Sequence, residues 1–320
     1  MKILVTGCAG FIGFHLIKKL IKLNYKIIGV DNLNNYYDVK IKKKRLNILN
    51  KKKNFKFLHH DLKNKKSLKK ITKDIRYIYH FAGQAGVRYS IKSPIDYIND
   101  NIIAYINLLE YYKDSKKLKA IFYASSSSVY GDEKKSISSN LPKKPISVYA
   151  VSKLSMELLS QAYFSLYRMK CIGLRFFTVY GPLGRPDMAY FKFCKLIKSN
   201  KNIEIFNHGK HKRSFTYIDD IINNILLLKK NLKKINFKKN SVFNIGNPKT
   251  ETLDKFIKII EKNLSKKSKK IYKKKQLGDV LNTRSNNQIE KKLFNFKYEI
   301  TLETGIKKFV SWFLKEYNYK

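Results

Sequence analysis

Three glycines at three-residue intervals, Gly7, Gly10 and Gly13, constrain this chain more than anything else in it. They follow the apolar run Ile3 to Val5 and lead into Phe11, Ile12, Leu16, Ile17 and Leu20, which recur at helical spacing. Strand, glycine turn and helix is the order a dinucleotide site requires. Glycines let the backbone turn sharply and approach a pyrophosphate closely. The helix then offers Phe11, Ile12 and Gly13 N–H groups and a positive dipole end to the phosphates. A bare glycine pattern also occurs for packing alone, so the next strand matters. Lys26 to Val30 reads as that strand, and it ends in Asp31, 18 residues after Gly13. A carboxylate there accepts both ribose hydroxyls and repels a 2′-phosphate, which favours NAD over NADP.

The pattern continues as an α/β alternation. Strands are expected at 2–6, 26–30, 55–58, 76–81, 119–125 and 171–176. Helices are expected at 11–23, 36–50, 67–72, 94–113 and 149–168. This predicts a Rossmann-type, doubly wound parallel sheet covered on both faces. Ligands in such sheets lie past the carboxyl ends of the strands. Gly7, Asp31, Asn32, Asp61, Leu62, Ala82, Gly83 and Ser125 to Ser128 all follow a predicted strand. After about Arg175 the order becomes irregular, with Gly181, Pro182, Gly184 and Pro186 in one turn-rich stretch. The expected division is a nucleotide-binding domain over 1–175 and a smaller, mainly substrate-binding α/β domain over 176–320. Segments within 214–247 are candidates to rejoin the first.

A second constellation carries chemistry. Tyr149 and Lys153 are four residues apart in a predicted helix and so share a face. A neighbouring ammonium and a bound nicotinamide cation favour the tyrosine phenolate. Such a tyrosine can take a proton from a hydroxyl while hydride leaves the same carbon. The four serines 125–128 follow a buried strand and offer hydroxyls to the same substrate.

The residues quoted so far are joined by longer stretches. These are Gly29-Val-Asp-Asn-Leu-Asn-Asn-Tyr-Tyr-Asp38, Ala85-Gly-Val-Arg-Tyr-Ser90, Arg175-Phe-Phe-Thr-Val-Tyr-Gly-Pro182, Gly184-Arg-Pro-Asp-Met-Ala189 and Lys212-Arg-Ser-Phe-Thr-Tyr-Ile-Asp-Asp220. Together they resemble the extended short-chain dehydrogenase/reductases of the nucleotide-sugar epimerase and dehydratase type, over nearly the whole chain. Within that group they are most similar to UDP-glucuronate 4-epimerases. The resemblance implies NAD-dependent inversion of C4 of a UDP-sugar, UDP-glucuronate to UDP-galacturonate, through a 4-keto intermediate. It implies Ser126, Tyr149 and Lys153 as catalytic residues. It implies Asp61 and Lys153 with the glycines and Asp31 around NAD, and a homodimer formed through the helices near 94–113 and 149–168. Arg88, Ser126, Ser127, Ser128, Tyr149, Thr178, Arg185, Arg213 and Asp279 are the residues it implies around the UDP-sugar. The chain departs from the family pattern at Cys8, Leu183, Ser214 and Ser285-Asn286. The alternatives within the fold are a UDP-glucuronate decarboxylase and an epimerase of neutral UDP-hexoses. From another class, the alternative is a non-catalytic NAD-binding protein with a basic nucleic-acid-binding surface.

That last alternative arises from charge. Lys and Arg number 68 against 23 acidic residues, a net of +45. The lysines are spread through the predicted helices, and Asn, Ile, Tyr and Phe are also abundant. This reads as compositional drift with solvated lysine faces at 40–45, 51–53 and 266–275, so a nucleic-acid partner is not expected. No run approaches the ~18 apolar residues of a membrane span, and the apolar start, broken by Gly7, is no signal peptide. Cys8, Cys171 and Cys194 are odd in number and far apart, so neither a disulfide framework nor a metal site is implied. A cytoplasmic location is expected.

Overall fold

A computed structural model describes residues 1–133, 136–209, 211–239, 241–274, 280 and 282–317. The chain divides into two compact units. One comprises Met1–Gly131, Pro142–Phe176 and Lys230–Phe243. The other comprises Asp132–Leu141, Phe177–Lys229 and the residues from Asn244 onward.

The first unit is built on strands β1 (Lys2–Thr6), β2 (Lys26–Asp31), β3 (Phe55–His59), β4 (Tyr77–His80), β5 (Ala120–Ser126) and β6 (Cys171–Phe176). With Val242–Ile245 they form one seven-stranded sheet in the order Val242–Ile245, β6, β5, β4, β1, β2, β3. The pairings among β1 to β6 are all parallel. Strands covered on both faces read as continuous apolar runs, and every residue of β4 and β6 is buried. The order reverses between β1 and β4. The chain winds outward through β2 and β3 on one side, then returns to wind through β4, β5 and β6 on the other. This is the Rossmann-type doubly wound arrangement, and its reversal opens a crevice above β1 and β4.

Packing fixes the helices on this sheet. Helix Phe11–Lys22 buries Phe11, Phe14, Leu16, Ile17 and Leu20. Another core gathers Leu4, Ile78 and Ile121 with Leu108, Leu109 and Met156 from the covering helices. Each fully buried Leu or Ile side chain there stabilises the fold by about 1.5–3 kcal/mol relative to exposure. Helix Val148–Tyr167 starts where Ser147 accepts a hydrogen bond from Ala150 N (3.2 Å) and stops at Arg168, whose φ is +56°.

Two helices differ from expectation. Asn64 caps at Lys66 N, so the single turn Lys65–Leu68 replaces a helix at 67–72. The expected continuous helix 94–113 is α-helical at Pro94–Tyr97, π-helical at Ile98–Ile103 and α-helical again at Ala104–Tyr112.

The second unit has an aromatic interior. Phe215 stacks on Phe256 at 4.4 Å, and Tyr190 and Phe191 meet Phe309 edge-on or tilted. Strand Thr178–Tyr180 pairs in parallel with Phe215–Tyr217. Strand Lys212–Arg213 lies between Glu251–Thr252 and Asn282–Thr283.

Candidate active site

Parallel pairing brings the exits of β1 to β5 to one edge of the sheet, and the candidate residues of the first unit stand there. The floor of the crevice is tight. Gly7 has φ +69°, and a Cβ on it would lie 2.5 Å from the Phe81 carbonyl carbon and 2.6 Å from Ala82 N. Gly10 and Gly13 face the Gly7 carbonyl in the same way. Thr6 Oγ1 contacts His80 Nδ1 at 2.8 Å and accepts from Ala82 N at 3.3 Å, which ties β1 to the β4 exit. Gly10 caps helix Phe11–Lys22 without a side-chain hydrogen bond. The first-turn N–H groups, Phe11, Ile12 and Gly13 among them, lack intrahelical acceptors and form an anion cradle.

Asp31 is buried at the end of β2. Its Oδ2 accepts from Ala9 N (3.0 Å) and its Oδ1 from Leu33 N (2.9 Å), so two backbone donors fix the carboxylate beside the glycine loop. Asn32 Nδ2 donates to Asp61 Oδ2 (3.1 Å), and Asp61 Oδ1 accepts from Lys63 N (2.9 Å). This links the β2 and β3 exits, while Leu62 is buried in the core beneath them. A glycine cradle that any Cβ would fill, a fixed carboxylate one strand away and a capless helix start fit a dinucleotide with unmodified ribose.

The basic run 40–45 is not wholly a solvated face. Lys42 and Arg45 are 5% and 0% exposed. Both lie on the inner face of helix Val39–Asn50 with Ile41, Leu46 and Leu49. Lys42 Nζ donates to Asn34 Oδ1 (2.6 Å) and Asn34 O (2.7 Å). Arg45 Nη1 donates to Ala9 O (2.8 Å) and the Tyr37 hydroxyl (2.9 Å). The glycine loop is therefore held at Ala9 from both sides, by Asp31 and by Arg45. The three-to-four-residue spacing within the run was the available signal.

Tyr149 and Lys153 stand on successive turns of helix Val148–Tyr167. Lys153 is buried, and burial pulls its ammonium down to about 8, so it keeps its proton at neutral pH. His80, buried beneath, is pulled down to about 3 by burial first and by the Lys153 charge second, and is neutral. An ammonium one turn from Tyr149 on the same helix would favour its phenolate over the neutral phenol. Tyr97 packs edge-on to Tyr149 at 5.9 Å and donates its hydroxyl to Ala85 O and Gly86 O. Asn101, from the π-helical turn, was not foreseen and carries no sequence signal. Its Oδ1 accepts from Gln84 N (2.7 Å) and its Nδ2 donates to Gln84 O (3.1 Å) and Ser152 Oγ (2.8 Å). It fastens the β4 exit, including Gly83, to the Tyr149 helix.

The four serines divide between a strand end and a turn. Ser125 and Ser126 complete β5, and Ser127–Tyr130 is a 3₁₀ turn capped by Ser126, whose Oγ accepts from Ser128 N (3.1 Å). Ser127 and Ser128 are partly exposed on that turn. Ser125 faces inward. Arg88 is exposed at the start of the short helix Tyr89–Lys92.

In the second unit Thr178 opens strand Thr178–Tyr180. Arg185 grips Asp187 through Nε (3.0 Å) and Nη2 (2.6 Å). Arg213 Nη2 donates to Val280 O (2.5 Å). Ser214, at a departure from the family pattern, donates its hydroxyl to Asn247 O. Asp279 lies outside the described residues.

Comparison with known proteins places this geometry. A UDP-glucuronate 4-epimerase from Thermodesulfobacterium geofontis is 41% identical over 97% of this chain and 95% of its own length. Protein CapI of Staphylococcus aureus is 43% identical over 99% of both chains. Among solved structures, a variant of UDP-glucuronic acid 4-epimerase from Bacillus cereus, in complex with UDP-4-deoxy-4-fluoro-glucuronic acid and NAD, superposes with a TM-score of 0.93. It is 33% identical and covers 99% of this chain and 100% of its own. The sequence pattern described as the NAD dependent epimerase/dehydratase family matches residues 3–246, which take in the glycine cradle, the serine turn and the Tyr149–Lys153 pair. By that match and by its near full-length relatives, the chain belongs to the NAD dependent epimerase/dehydratase family.

Proposed function

We propose that this protein interconverts UDP-glucuronate and UDP-galacturonate by inverting C4 of the sugar. The near full-length likeness to UDP-glucuronate 4-epimerases carries this reading, and the Tyr149–Lys153 pair, on a helix that Asn101 ties to the β4 exit, supports it. NAD, when bound, supplies a reversible hydride acceptor for C4. Gly7, Gly10, Phe11, Ile12, Gly13, Asp31, Asn32, Asp61, Leu62, Ala82 and Gly83 form its cradle, with Tyr149 and Lys153 at the reacting end.

Tyr149 takes the proton of the sugar 4-hydroxyl and later returns it to the 4-oxygen, while inversion comes from the hydride that left C4 returning to the opposite face of the turned keto sugar. The Lys153 ammonium lowers the cost of the phenolate, and Ser126 hydrogen-bonds the 4-oxygen. The keto sugar is a β-keto acid and loses CO2 if the carboxylate C–C bond aligns with the carbonyl π system. Ser127, Ser128, Thr178, Arg185 and Arg88 are the residues we assign to the sugar and its carboxylate, and Arg213 and Asp279 to the nucleotide part of the substrate. The first unit is the nucleotide-binding domain in this reading and the second the substrate domain.

Proton NMR of the purified protein with UDP-glucuronate tests the proposal. UDP-galacturonate is the expected product, and it forms without added NAD if the cofactor co-purifies. A UDP-pentose identifies a decarboxylase instead. No product after NAD is supplied rejects both.

We also propose a homodimer. Ile91, Ile95, Leu158 and Leu166 are 54%, 67%, 58% and 71% exposed, all in the helical segments 89–112 and 148–167 of the first unit. A second copy covering these side chains removes apolar surface that water otherwise meets. Sedimentation of Leu158→Glu is expected to show a monomer; a wild-type dimer in that variant sinks this face as the interface. Among the described residues no helix is long and apolar enough to cross a membrane. The three cysteines are buried free thiols, consistent with the reducing cytoplasm we propose for it.

A further inference from the structure

We infer that Arg175, Glu157, Ser125 and Tyr130 form a buried positioning clamp that sets the serine turn against the Tyr149 helix. The inference rests on the catalytic roles proposed above for Ser126 and Tyr149. Glu157 lies four residues beyond Lys153 and eight beyond Tyr149, so it extends the same row along helix Val148–Tyr167. Arg175 on β6 is the register partner of Ser125 on β5. Its guanidinium grips Glu157 with both edges, Nε to Oε1 at 2.8 Å and Nη2 to Oε2 at 2.6 Å. Nη1 donates to the Tyr130 hydroxyl at 2.6 Å, and the guanidinium lies 4.8 Å from the centre of that ring. Ser125 Oγ donates to Glu157 Oε1 at 2.5 Å.

The consequence is geometric. Ser126 to Tyr130 carries the hydroxyls that face the reacting sugar. That segment is tied at its start by Ser125 and at its end by Tyr130, and both ties lead to Glu157 on the helix that presents Tyr149. Strand alternation sends Ser125 toward Glu157 and its neighbour Ser126 the other way. The ion pair is almost fully buried, with side-chain exposures of 2% and 4%. Burial opposes the Arg175 charge, but the hydrogen bonds and charge of Glu157 outweigh it and hold its pKa above the ordinary arginine value. Desolvation offsets much of what such a pair adds to stability, and apolar side chains of similar volume hold a fold as well. A planar fork adds direction, which packing alone does not supply.

Ser125→Ala and Tyr130→Phe each delete one hydroxyl and leave the ion pair in place. The double variant is assayed beside Tyr149→Phe. We expect kcat to fall ~10–100-fold, with KM for UDP-glucuronate, NAD content and melting temperature close to wild type. Arg175→Lys keeps the charge without the fork, and we expect it to fold but not to recover kcat. Wild-type kcat in the double variant, with Tyr149→Phe inactive, overturns the clamp and leaves the catalytic reading standing. So does a loss of kcat matched by equal losses of NAD and melting temperature, which marks a merely structural role. Wild-type turnover in Tyr149→Phe overturns the catalytic reading, and the clamp with it.

Discussion

Tyr149→Phe is expected to lower kcat by about 10²–10⁴-fold, the range a positioned general acid–base contributes. Only one oxygen is removed. The ring keeps its edge-on contact with Tyr97, and helix Val148–Tyr167 keeps its Ser147 cap and its buried face. Stability and NAD content are therefore expected to match wild type. Lys153 does not replace the phenol, because it lies a helical turn away and holds its proton at neutral pH. Single-turnover assays with UDP-glucuronate measure the step directly. Residual turnover within a few-fold of wild type would remove Tyr149 from the mechanism and point to another hydroxyl, Ser126 first.

The second large effect lies in the glycine cradle. Gly7→Ala is expected to abolish NAD retention and to destabilise the fold by at least the roughly 1–3 kcal/mol of a left-handed residue. Two costs coincide at this residue. Its φ is +69°, and the new methyl would strike the Phe81–Ala82 peptide, which is backbone and directly follows β4. Gly7 cannot back away, because its N–H donates to Val30 O at 2.8 Å. Gly209 separates the two costs. Its φ is +75°, but among the described residues an added Cβ meets only Ile205 Cγ2, at 3.4 Å. Gly209→Ala thus carries strain without collision, and its expected cost is about 1–2 kcal/mol with NAD content unchanged. Thermal melting and cofactor content of the two variants decide the matter. Equal melting temperatures and equal NAD content would mean that the crevice floor relaxes, and the cradle argument would fail.

Much of the first unit was legible because its signals are local. A parallel strand buried on both faces is an apolar run, and Gly7, Asp31 and Ser126 mark where such runs end. The Tyr149–Lys153 pair shows itself by spacing alone. What escaped reading depends on partners distant in sequence. The run 40–45 looks like a solvated face, yet Arg45 finds Ala9 O and Tyr37, and Lys42 finds Asn34. Ser125 resembles its three neighbours until Glu157 claims its hydroxyl. Glu157 could have been singled out, since it continues the row of Tyr149 and Lys153 at the same interval. Asn101 could not, because a π-helical turn depends on packing that periodicity does not record.

That turn makes the segment 94–112 sensitive to length in a way its composition does not reveal. Accommodating one residue beyond the regular α-helical count puts the stretches before and after it out of phase by about 100°. Tyr97 and Asn101 both reach the interior. Ile95 and Ile103 remain outside. Deleting one residue between 98 and 103 would restore the regular count and leave Leu108 and Leu109 in the core, but it would remove the wider turn from which Asn101 reaches Gln84 and Ser152. The extra residue thus serves the tie between the β4 exit and the Tyr149 helix, and its loss would be felt there rather than in the core beneath Ala104–Tyr112.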